Sequence, residues 1–291
     1  MILVTGGTGF LGAFVVKELI KRDYEFCCFV RESSDVDFLK ENDIELRYGD
    51  LDEQETLEEA LEGVDTLVNI ASLGFGHAPN IIGACENQDI ERGVFISTTA
   101  IYTTLDADSK SVRLEAEDII KDSSLDYTII RPTMIYGTED DRNMIRLVKF
   151  LNKYPVIPVL GPGTYLLQPV YVKDLARAIV KTLGNENTLN NDYNIAGAKP
   201  LTYNEVVDTT AETLNTSIYK FHVPLKFSVW ALSLYEKISP NPRLKAEQAL
   251  RLNEDKDFSI EKAQKELNYS PKTFSEGIQK EVERARRLDL I

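Results

Sequence analysis

The chain has 291 residues, of which 43% are hydrophobic, enough to bury the core of one large domain or of a domain with a smaller lobe. Its net charge of −14 argues against nucleic-acid binding, because phosphates require clustered Lys and Arg. Its three cysteines form neither a disulfide framework nor a metal-ligand spacing, and no apolar run is long enough to cross a bilayer. No secretory leader precedes the first predicted strand, so we expect a cytoplasmic, metal-free protein without a membrane span.

The first residues predict a strand over 2–5, a glycine-rich turn and a helix over 10–21. This is the context in which a G-x-G-x-x-G pattern indicates a dinucleotide site. Gly6 or Gly7 allows the turn, Gly9 lets the backbone approach a pyrophosphate, and Gly12 lets helix and strand pack closely. The residues expected to bind the dinucleotide here are Thr5, Gly6, Gly7, Thr8, Gly9, Phe10, Leu11 and Gly12.

Strands and helices then alternate along the first half of the chain. Strands are predicted at 2–5, 25–30, 44–48, 66–70, 93–97 and 127–131, and helices at 10–21, 53–62, 80–87 and 110–121. This alternation predicts an α/β fold with a Rossmann-type, doubly wound parallel sheet, which binds ligands outside the C-terminal strand ends. Cys27 and Cys28 are neighbours on a strand, so we expect them to enter the core on opposite faces.

After residue 137 the alternation loosens. A basic amphipathic helix at 143–153, a Pro/Gly-rich loop at 154–163, a strand at 168–172 and a helix at 173–183 precede a mainly helical segment that ends with a helix at 274–288. We predict a dinucleotide-binding domain over 1–137 and a smaller, mainly helical substrate lobe over 138–291, with 168–184 returning to the sheet. The apolar stretch 227–235 predicts core or a lid, and it leaves a lipid-like substrate open.

The second strand ends at Arg31, followed by Glu32 and Ser33. In Rossmann sites an arginine here binds the 2′-phosphate of NADP, whereas an acid binds the ribose hydroxyl of NAD. Arg31 has a guanidinium suited to phosphate, and Ser33 adds a hydroxyl. We therefore predict NADP, with NAD as the alternative if Glu32 binds the ribose and Arg31 is only a solvated strand end.

Several motifs occur together in a fixed order. They are Thr5–Gly12, Gly49-Asp50-Leu51, Ser97-Thr98-Thr99, Arg131–Gly137, Val170–Ala176 and the C-terminal Ala263–Pro271 with Phe274–Gly277. Together they resemble the extended and atypical branches of the short-chain dehydrogenase/reductase superfamily, the NAD(P)-dependent epimerase and dehydratase type. The resemblance covers nearly the whole chain. It implies hydride transfer with a nicotinamide cofactor, a small-molecule substrate and a homodimer as the common assembly.

The resemblance also implies further cofactor contacts. Asp50 and Leu51 would lie near the adenine, although Asp50 or Asp52 also suits the N-cap of the next helix. Further residues expected at the cofactor are Asn69, Ala71 and Ser72 after the fourth strand, and Arg131 and Pro132 near the nicotinamide.

The catalytic pattern departs from the family. Ser97 and Thr98 supply the hydroxyls that orient a substrate, but the family's Tyr-x-x-x-Lys positions hold Ser109 and Arg113. In one interpretation Arg113 or Lys110 holds the ribose while Tyr102 or a water moves protons. In another Lys110 is the acid/base, which requires burial to lower its pKa. In a third the site binds cofactor without redox chemistry, Lys110 and Arg113 forming a solvated helix face and Tyr102 a packing aromatic.

Four residues are candidates for substrate contact. His77 follows the fourth strand in a glycine-rich loop, and its imidazole suits hydrogen bonding to a substrate oxygen. Arg142 and Asn143 begin a helix of the second lobe and suit a phosphate or carboxylate, and Gln168 matches a polar substrate position of extended members. The alternatives without a function are that His77 only contacts solvent and that Arg142 and Asn143 belong to a basic helix face.

The leading hypothesis is an NADP(H)-dependent oxidoreductase or epimerase that transfers hydride at a hydroxyl or carbonyl carbon, with a nucleotide sugar as one substrate class. One alternative is a non-catalytic NADP(H)-binding sensor or accessory subunit that lacks the Tyr-Lys pair. A second alternative is a reductase of a lipid-like or hydroxysteroid-type substrate.

Overall fold

The structure is a computed structural model that describes residues 1–105, 108–239, 250 and 254–291. Its strands are β1 (Ile2–Thr5), β2 (Phe26–Val30), β3 (Glu45–Tyr48), β4 (Thr66–Asn69), β5 (Arg92–Ile96), β6 (Asp126–Pro132), β7 (Ile135–Tyr136), β8 (Val156–Leu160), β9 (Leu166–Leu167), β10 (Val170–Tyr171), β11 (Asn191–Ile195), β12 (Leu201–Thr202) and β13 (Tyr219–Val223). Its helices are α1 (Phe10–Lys21), α2 (Asp37–Glu41), α3 (Gln54–Ala60), α4 (Ala78–Asn87), α5 (Asp108–Asp122), α6 (Met144–Lys153), α7 (Val172–Thr182), α8 (Tyr203–Leu214), α9 (Leu225–Ile238), α10 (Glu261–Leu267) and α11 (Phe274–Arg287).

A seven-stranded sheet forms the centre, in the order β3-β2-β1-β4-β5-β6-β11. Every neighbouring pair in it is parallel. The order reverses between β1 and β4, as in a doubly wound sheet. The predicted α/β, Rossmann-type fold is confirmed.

Helices cover both faces of this sheet because successive strand residues point to opposite sides. Val4 packs into a core with helix α1, whereas Leu3 packs into a second core with α3 and α4. Cys27 and Cys28 follow the same alternation: both are buried, one in each core, as predicted. Burial raises the pKa of the Cys27 thiol to about 11 and that of Cys28 to about 12, so these thiols stay protonated.

A third core lies in the C-terminal half, where α6, α8 and α11 pack around Tyr136, Val148, Val207 and Ile278. Helix α11 begins with a complete capping box, in which Thr273 and Glu276 exchange side-chain and backbone hydrogen bonds. The domain boundary at residue 137 stays a prediction. Residues 240–249 and 251–253 of the predicted mainly helical segment lie outside the described residues.

Two sequence expectations differ from the structure. Strand β11 lies outside the predicted strands, because its sequence NDYNI has no apolar run and it joins the sheet only at an edge. The apolar stretch 227–235 does not bury its largest side chains: Phe227 is 57% and Trp230 61% exposed. Among the described residues, no helix combines the length and apolar character needed to cross a bilayer.

Candidate cofactor and substrate cleft

The turn between β1 and α1 leaves room for an anion. Gly6 has a φ of +68°, and the Gly9 N–H donates to the Gly6 carbonyl at 3.0 Å. A Cβ at Gly12 would lie 2.0 Å from that carbonyl oxygen, so only glycine lets α1 begin this close to the turn. No side chain caps the first turn of α1, and its free N–H groups face the helix end that attracts anions. The turn therefore fits a pyrophosphate.

A cavity of about 770 Å³ opens beside this turn. It lies at the ends of the strands next to the reversal of strand order, where doubly wound sheets bind ligands. The predicted site residues that line it are Thr5, Gly6, Thr8, Gly9, Phe10, Leu11, Gly12, Arg31, Asp50, Leu51, Ala71, Ser72, His77, Ser97, Thr98, Arg113, Pro132, Arg142 and Asn143. The fold thus brings most of the expected site into one cleft.

The other predicted site residues do not line this cavity: Gly7, Ser33, Asn69, Tyr102, Lys110, Arg131 and Gln168. Gly7 packs against the Cys28 side chain, with its Cβ position 3.1 Å from the sulfur. Asn69 is fully buried. It accepts a hydrogen bond from the Thr5 hydroxyl at 2.7 Å and donates to the Ala71 carbonyl at 3.0 Å. Both residues therefore support the cleft from behind instead of contacting its contents.

At one end of the cleft, Arg31 follows β2 as an exposed side chain. It makes no ion pair with any residue in the described ranges. The Arg31 N–H donates to the Ser34 hydroxyl at 3.2 Å, and the Ser34 N–H donates to the Arg31 carbonyl at 2.9 Å. This closed turn directs Ser34, not the predicted Ser33, to the cavity. A guanidinium and a hydroxyl therefore lie together at the end of β2.

Asp50 and His77 lie close to each other in the same cleft. The Asp50 carboxylate accepts the Asp52 N–H at 3.1 Å, and His77 Nδ1 lies 3.1 Å from the Asp52 carboxylate. Helix α3 begins without a side-chain cap, with Glu53 at its N-cap position, so the capping role for Asp50 or Asp52 is wrong. His77 therefore contacts the loop after β3.

Arg131 is turned away from the cleft into a buried ion pair. Its side chain is 6% exposed and its guanidinium contacts the 1% exposed Glu117 carboxylate at 2.6 Å. Burial alone would raise the Glu117 pKa, but hydrogen bonds from Arg131 and from the Ser97 hydroxyl (2.6 Å) hold that pKa below its usual range. Because a buried charge needs a partner, Arg131 is committed to the protein interior. The expectation that it shapes the nicotinamide face is corrected.

The two predicted proton carriers also point elsewhere. The Tyr102 hydroxyl accepts from Arg131 at 3.0 Å and donates to Asn194 on β11 at 3.3 Å. Its ring lies 5.6 Å from that of Phe258. Lys110 Nζ donates to the Thr103 carbonyl at 2.6 Å. Neither side chain lines the cavity, so direct proton transfer to a ligand there requires that one of them move.

Arg113, at the family's lysine position, does line the cleft. Its guanidinium donates to the Ser109 carbonyl at 2.8 Å and packs so closely on Gly74 that a Cβ there would lie 2.8 Å from the Arg113 Cζ. Ser97 and Thr98 line the same cavity at the end of β5. The cleft therefore contains a cation and two hydroxyls. Arg113 and the Thr98 hydroxyl suit a developing negative charge on oxygen, whereas the Ser97 hydroxyl already donates to Glu117.

The loop after β7 forms another wall, with Asp140 and Asp141 beside the predicted Arg142 and Asn143. The two acids went unpredicted, although the polar run after residue 137 was a signal for them. Gln168 is buried and donates to the Gly197 carbonyl at 2.8 Å, while its side-chain oxygen accepts the Phe258 N–H at 2.8 Å. Gln168 therefore joins chain segments behind the cleft, and its predicted role as a substrate contact is corrected.

A second buried acid supports this loop from behind. Glu281 on α11 is fully buried, and its carboxyl oxygens receive no hydrogen bond from the residues that the structure describes. Burial, followed by the negative charge of Asp141, raises the pKa of Glu281 to about 10. Asp141 accepts the N–H groups of Asn143 and Ile145 at 2.9 and 3.1 Å. A protonated Glu281 therefore lies against Asp141, which organises the wall of the cleft.

In the described parts of the chain, no three His, Cys, Asp or Glu residues are grouped closely enough to hold a metal ion. The glycine turn, the helix end and the polar groups already described are the parts of the cleft that suit a cofactor. The uncapped N–H groups of α1 and the space left by Gly12 fit a dinucleotide pyrophosphate.

Comparison with known proteins also indicates that the chain binds a nicotinamide dinucleotide. The family model described as NAD(P)H-binding matches residues 6–186. The chain is 28% identical over 238 residues to the chloroplast stem-loop binding protein of 41 kDa b from Arabidopsis thaliana, covering 72% of this chain and 62% of that protein. It is 24% identical over 258 residues to the N-acetyl-α-D-glucosaminyl-diphospho-ditrans,octacis-undecaprenol 4-epimerase of Escherichia coli O157:H7, covering 77% of this chain and 75% of that enzyme.

Solved structures share the whole fold. The UDP-glucose 4-epimerase of Thermotoga maritima superposes with a TM-score of 0.76 at 18% identity, over 99% of both chains. The family model thus confirms the predicted NAD(P)-binding family, and the solved structure confirms the Rossmann-type fold.

Proposed function

The chain belongs to the NAD(P)H-binding family, and from this premise we propose that it is an NADP(H)-dependent oxidoreductase or epimerase acting at a hydroxyl or carbonyl carbon. The observation that carries the proposal is the continuity of one cavity, from the glycine turn to Ser97, Thr98 and Arg113. A cofactor held at the turn would leave these groups for a substrate oxygen.

Each group of residues along the cleft has its own role in this proposal. The N–H groups at the start of α1 bind the pyrophosphate, and Arg31 with Ser34 binds the 2′-phosphate. Asp50 lies at the adenine side. The nicotinamide of the bound cofactor supplies or accepts the hydride. The Ser97 proton is already donated to Glu117, so the Ser97 oxygen is free to accept a hydrogen bond from a substrate hydroxyl.

Charge on the substrate oxygen is balanced by Arg113 and Thr98. When a carbonyl is reduced, these donors stabilise the alkoxide that forms, and the proton comes from solvent in the cleft. Tyr102 and Lys110 stay outside this chemistry, because their polar atoms are bound to Asn194, Arg131 and Thr103. This assignment replaces the tyrosine-lysine pair by a cation and hydroxyls.

A sugar carrying a diphosphate is the substrate class that the cleft suits best. Arg142 and Asn143 are exposed on its wall and suit an anionic group. The similarity to an epimerase of a diphospho-undecaprenol-linked sugar supports a sugar diphosphate, either nucleotide-linked or lipid-linked. A homodimer and a cytoplasmic location stay predictions.

A second function is favoured by a specific observation. Because Ser109 and Arg113 replace the tyrosine and lysine, and Tyr102 and Lys110 do not line the cavity, the cleft has no side chain in the usual acid/base role. A non-catalytic NADP(H)-binding sensor or accessory subunit requires only the binding half of the site. The similar protein from Arabidopsis is named for binding a stem-loop and not for a reaction.

One experiment separates the two functions. NADPH fluorescence gives the affinity. Protein loaded with NADP⁺ is then mixed with nucleotide sugars and a lipid-linked sugar diphosphate, and protein loaded with NADPH is mixed with small ketones and an apolar ketone, with products followed by chromatography. Turnover that falls at least tenfold in Thr98→Ala and Arg113→Met, but persists in Thr213→Ala on α8, supports the enzyme. Tight NADPH binding without turnover of any compound identifies the binding protein.

A further inference from the structure

Helix α9 exposes an apolar stripe to solvent. Phe227, Trp230, Leu234 and Ile238 are 57%, 61%, 46% and 73% exposed. Their spacing of three and four residues places them on one side of the helix. The inward side holds Ser228, the most buried of the described α9 side chains, whose hydroxyl is within 3.2 Å of the Pro224 carbonyl, and the half-buried Leu225 and Leu232. An ordinary surface helix keeps its outward side polar, so the exposed stripe of α9 is unusual.

The exposed rings continue into the strand that precedes this helix. In the parallel pair of β13 and β8, Tyr219 lies opposite Val156 and Phe221 opposite Pro158. Tyr219 and Phe221 are 68% and 56% exposed. Only Pro224 separates β13 from α9, so one stretch of chain presents aromatic side chains from both elements. We call the four α9 residues together with Tyr219 and Phe221 the apolar face.

Two lysines border this face. Lys226 is exposed in the first turn of α9. Lys153, also exposed, lies two residues before Pro155, whose carbonyl accepts the Tyr219 N–H at 2.8 Å. Within the described part of the chain, neither has a carboxylate in ion-pair range. The net charge of the chain is −14, but charges act within about 10 Å at moderate salt, so the local positive sign decides which surface is attracted.

We propose that the apolar face docks reversibly on the surface of a lipid bilayer that contains anionic lipids. Trp, Phe and Tyr side chains favour the boundary between headgroups and acyl chains, and lysines beside them contact anionic headgroups. A second copy of this chain suits the face less well, because a symmetric pairing sets the same lysines against each other. The docking is independent of the proposed function, since none of these side chains lines the cofactor cavity.

Trp230 makes a direct test possible, because it is the only tryptophan of the chain. The full chain is titrated with vesicles of phosphatidylcholine and phosphatidylglycerol, and Trp230 emission is recorded with and without brominated acyl chains. We expect a blue shift and quenching by the brominated lipids. In sedimentation, Phe227→Ser with Ile238→Ser should lower the vesicle-bound fraction at least tenfold, and Leu288→Ser, which removes an exposed leucine elsewhere, should not.

Two further measurements test the role of charge and the folding of the variants. Lys226→Glu should weaken binding to vesicles with phosphatidylglycerol severalfold and leave binding to pure phosphatidylcholine unchanged. NADPH affinity should be the same in every variant, which verifies the fold. The proposal is overturned if Trp230 neither shifts nor is quenched. It is also overturned if the emission is already blue without lipid, which means that the chain itself or a second copy covers the face.

Discussion

At the scale of single residues, the cleft depends on where each charge finds its partner. Arg131 is neutralised by Glu117 and Asp192 inside the protein, whereas Arg31 stands at the end of β2 without an ion-pair partner among the described residues. Both are arginines at strand ends in the sequence. Only the second is available to a ligand.

Arg31→Ala should therefore change the choice of cofactor. Loss of a guanidinium from a phosphate removes charge-assisted hydrogen bonds worth about 1.5–3 kcal/mol, which is roughly a tenfold to hundredfold loss of affinity. We expect that loss for NADPH and almost none for NADH, measured by fluorescence titration. Glu32→Ala is the matched control. A variant that still prefers NADPH by the original ratio would contradict the assignment.

Glu281→Gln should change how stability depends on pH. The pKa of Glu281 is about 10 in the folded protein and about 4.3 when unfolded, so between these values the folded state binds the extra proton. The free energy of unfolding of the natural protein therefore falls as pH rises, by at most about 1.4 kcal/mol per pH unit from this group.

The amide that replaces this carboxyl in the variant does not ionise, so the variant's stability relative to the natural protein should increase steadily between about pH 5 and pH 9. Urea unfolding at several pH values measures this difference. Glu283→Gln, an exposed position on the same helix, should give no such trend. Parallel pH profiles for Glu281→Gln and the natural protein would show that Glu281 is ionised in the fold.

At the scale of elements, the strand-turn-helix unit of β1 and α1 was readable from the sequence because every requirement is local. The glycines, the uncapped helix start and the buried strand lie within a dozen neighbouring positions. By contrast, β11 joins the sheet beside β6 and supplies Asn194, the partner of Tyr102. No pattern in the sequence near Tyr102 or Asn194 predicts the contact between them.

Two glycine substitutions test how closely the start of α1 approaches the turn that follows β1. Gly12→Ala would place a Cβ 2.0 Å from the Gly6 carbonyl oxygen, whereas Gly9→Ala would place one at 3.3 Å. Overpacking of the first kind costs about 1–3 kcal/mol. We expect Gly12→Ala to lower both thermal stability and NADPH affinity, and Gly9→Ala to lower mainly the affinity. Equal stability of the two variants in thermal unfolding would refute the close approach.

At the scale of the whole molecule, the buried Arg131–Glu117 pair joins strand β6 of the sheet to helix α5, which packs on it. Through Asp192, Arg131 also contacts the edge strand β11. The same carboxylate holds the Ser97 hydroxyl in the cleft. Stability and the geometry of the substrate end are therefore linked through one buried charge.

Arg131→Met should destabilise the protein by about 3–5 kcal/mol, because Glu117 is left buried without its main partner. Asp192→Asn should cost less than about 1 kcal/mol, since that carboxylate is 44% exposed. The pKa of Glu117 is lowered in the fold, so its contribution is present above the unfolded value and is lost as the pH falls below about 4. Denaturant unfolding of both variants tests this; a loss no larger for Arg131→Met would count against the buried pair.

The sequence by itself determined the sheet class, the glycine turn and the family, because these follow from hydrophobic periodicity and from backbone requirements within short segments. Only the tertiary structure decided which polar residues reach the cleft. Arg113 lines it, but Tyr102, Lys110 and Gln168 do not, since each of those has a partner distant in the chain or a carbonyl of its own loop. Tertiary structure likewise left the large apolar side chains of α9 exposed. Periodicity identifies an apolar helix, but packing against the rest of the chain decides which of its side chains are buried.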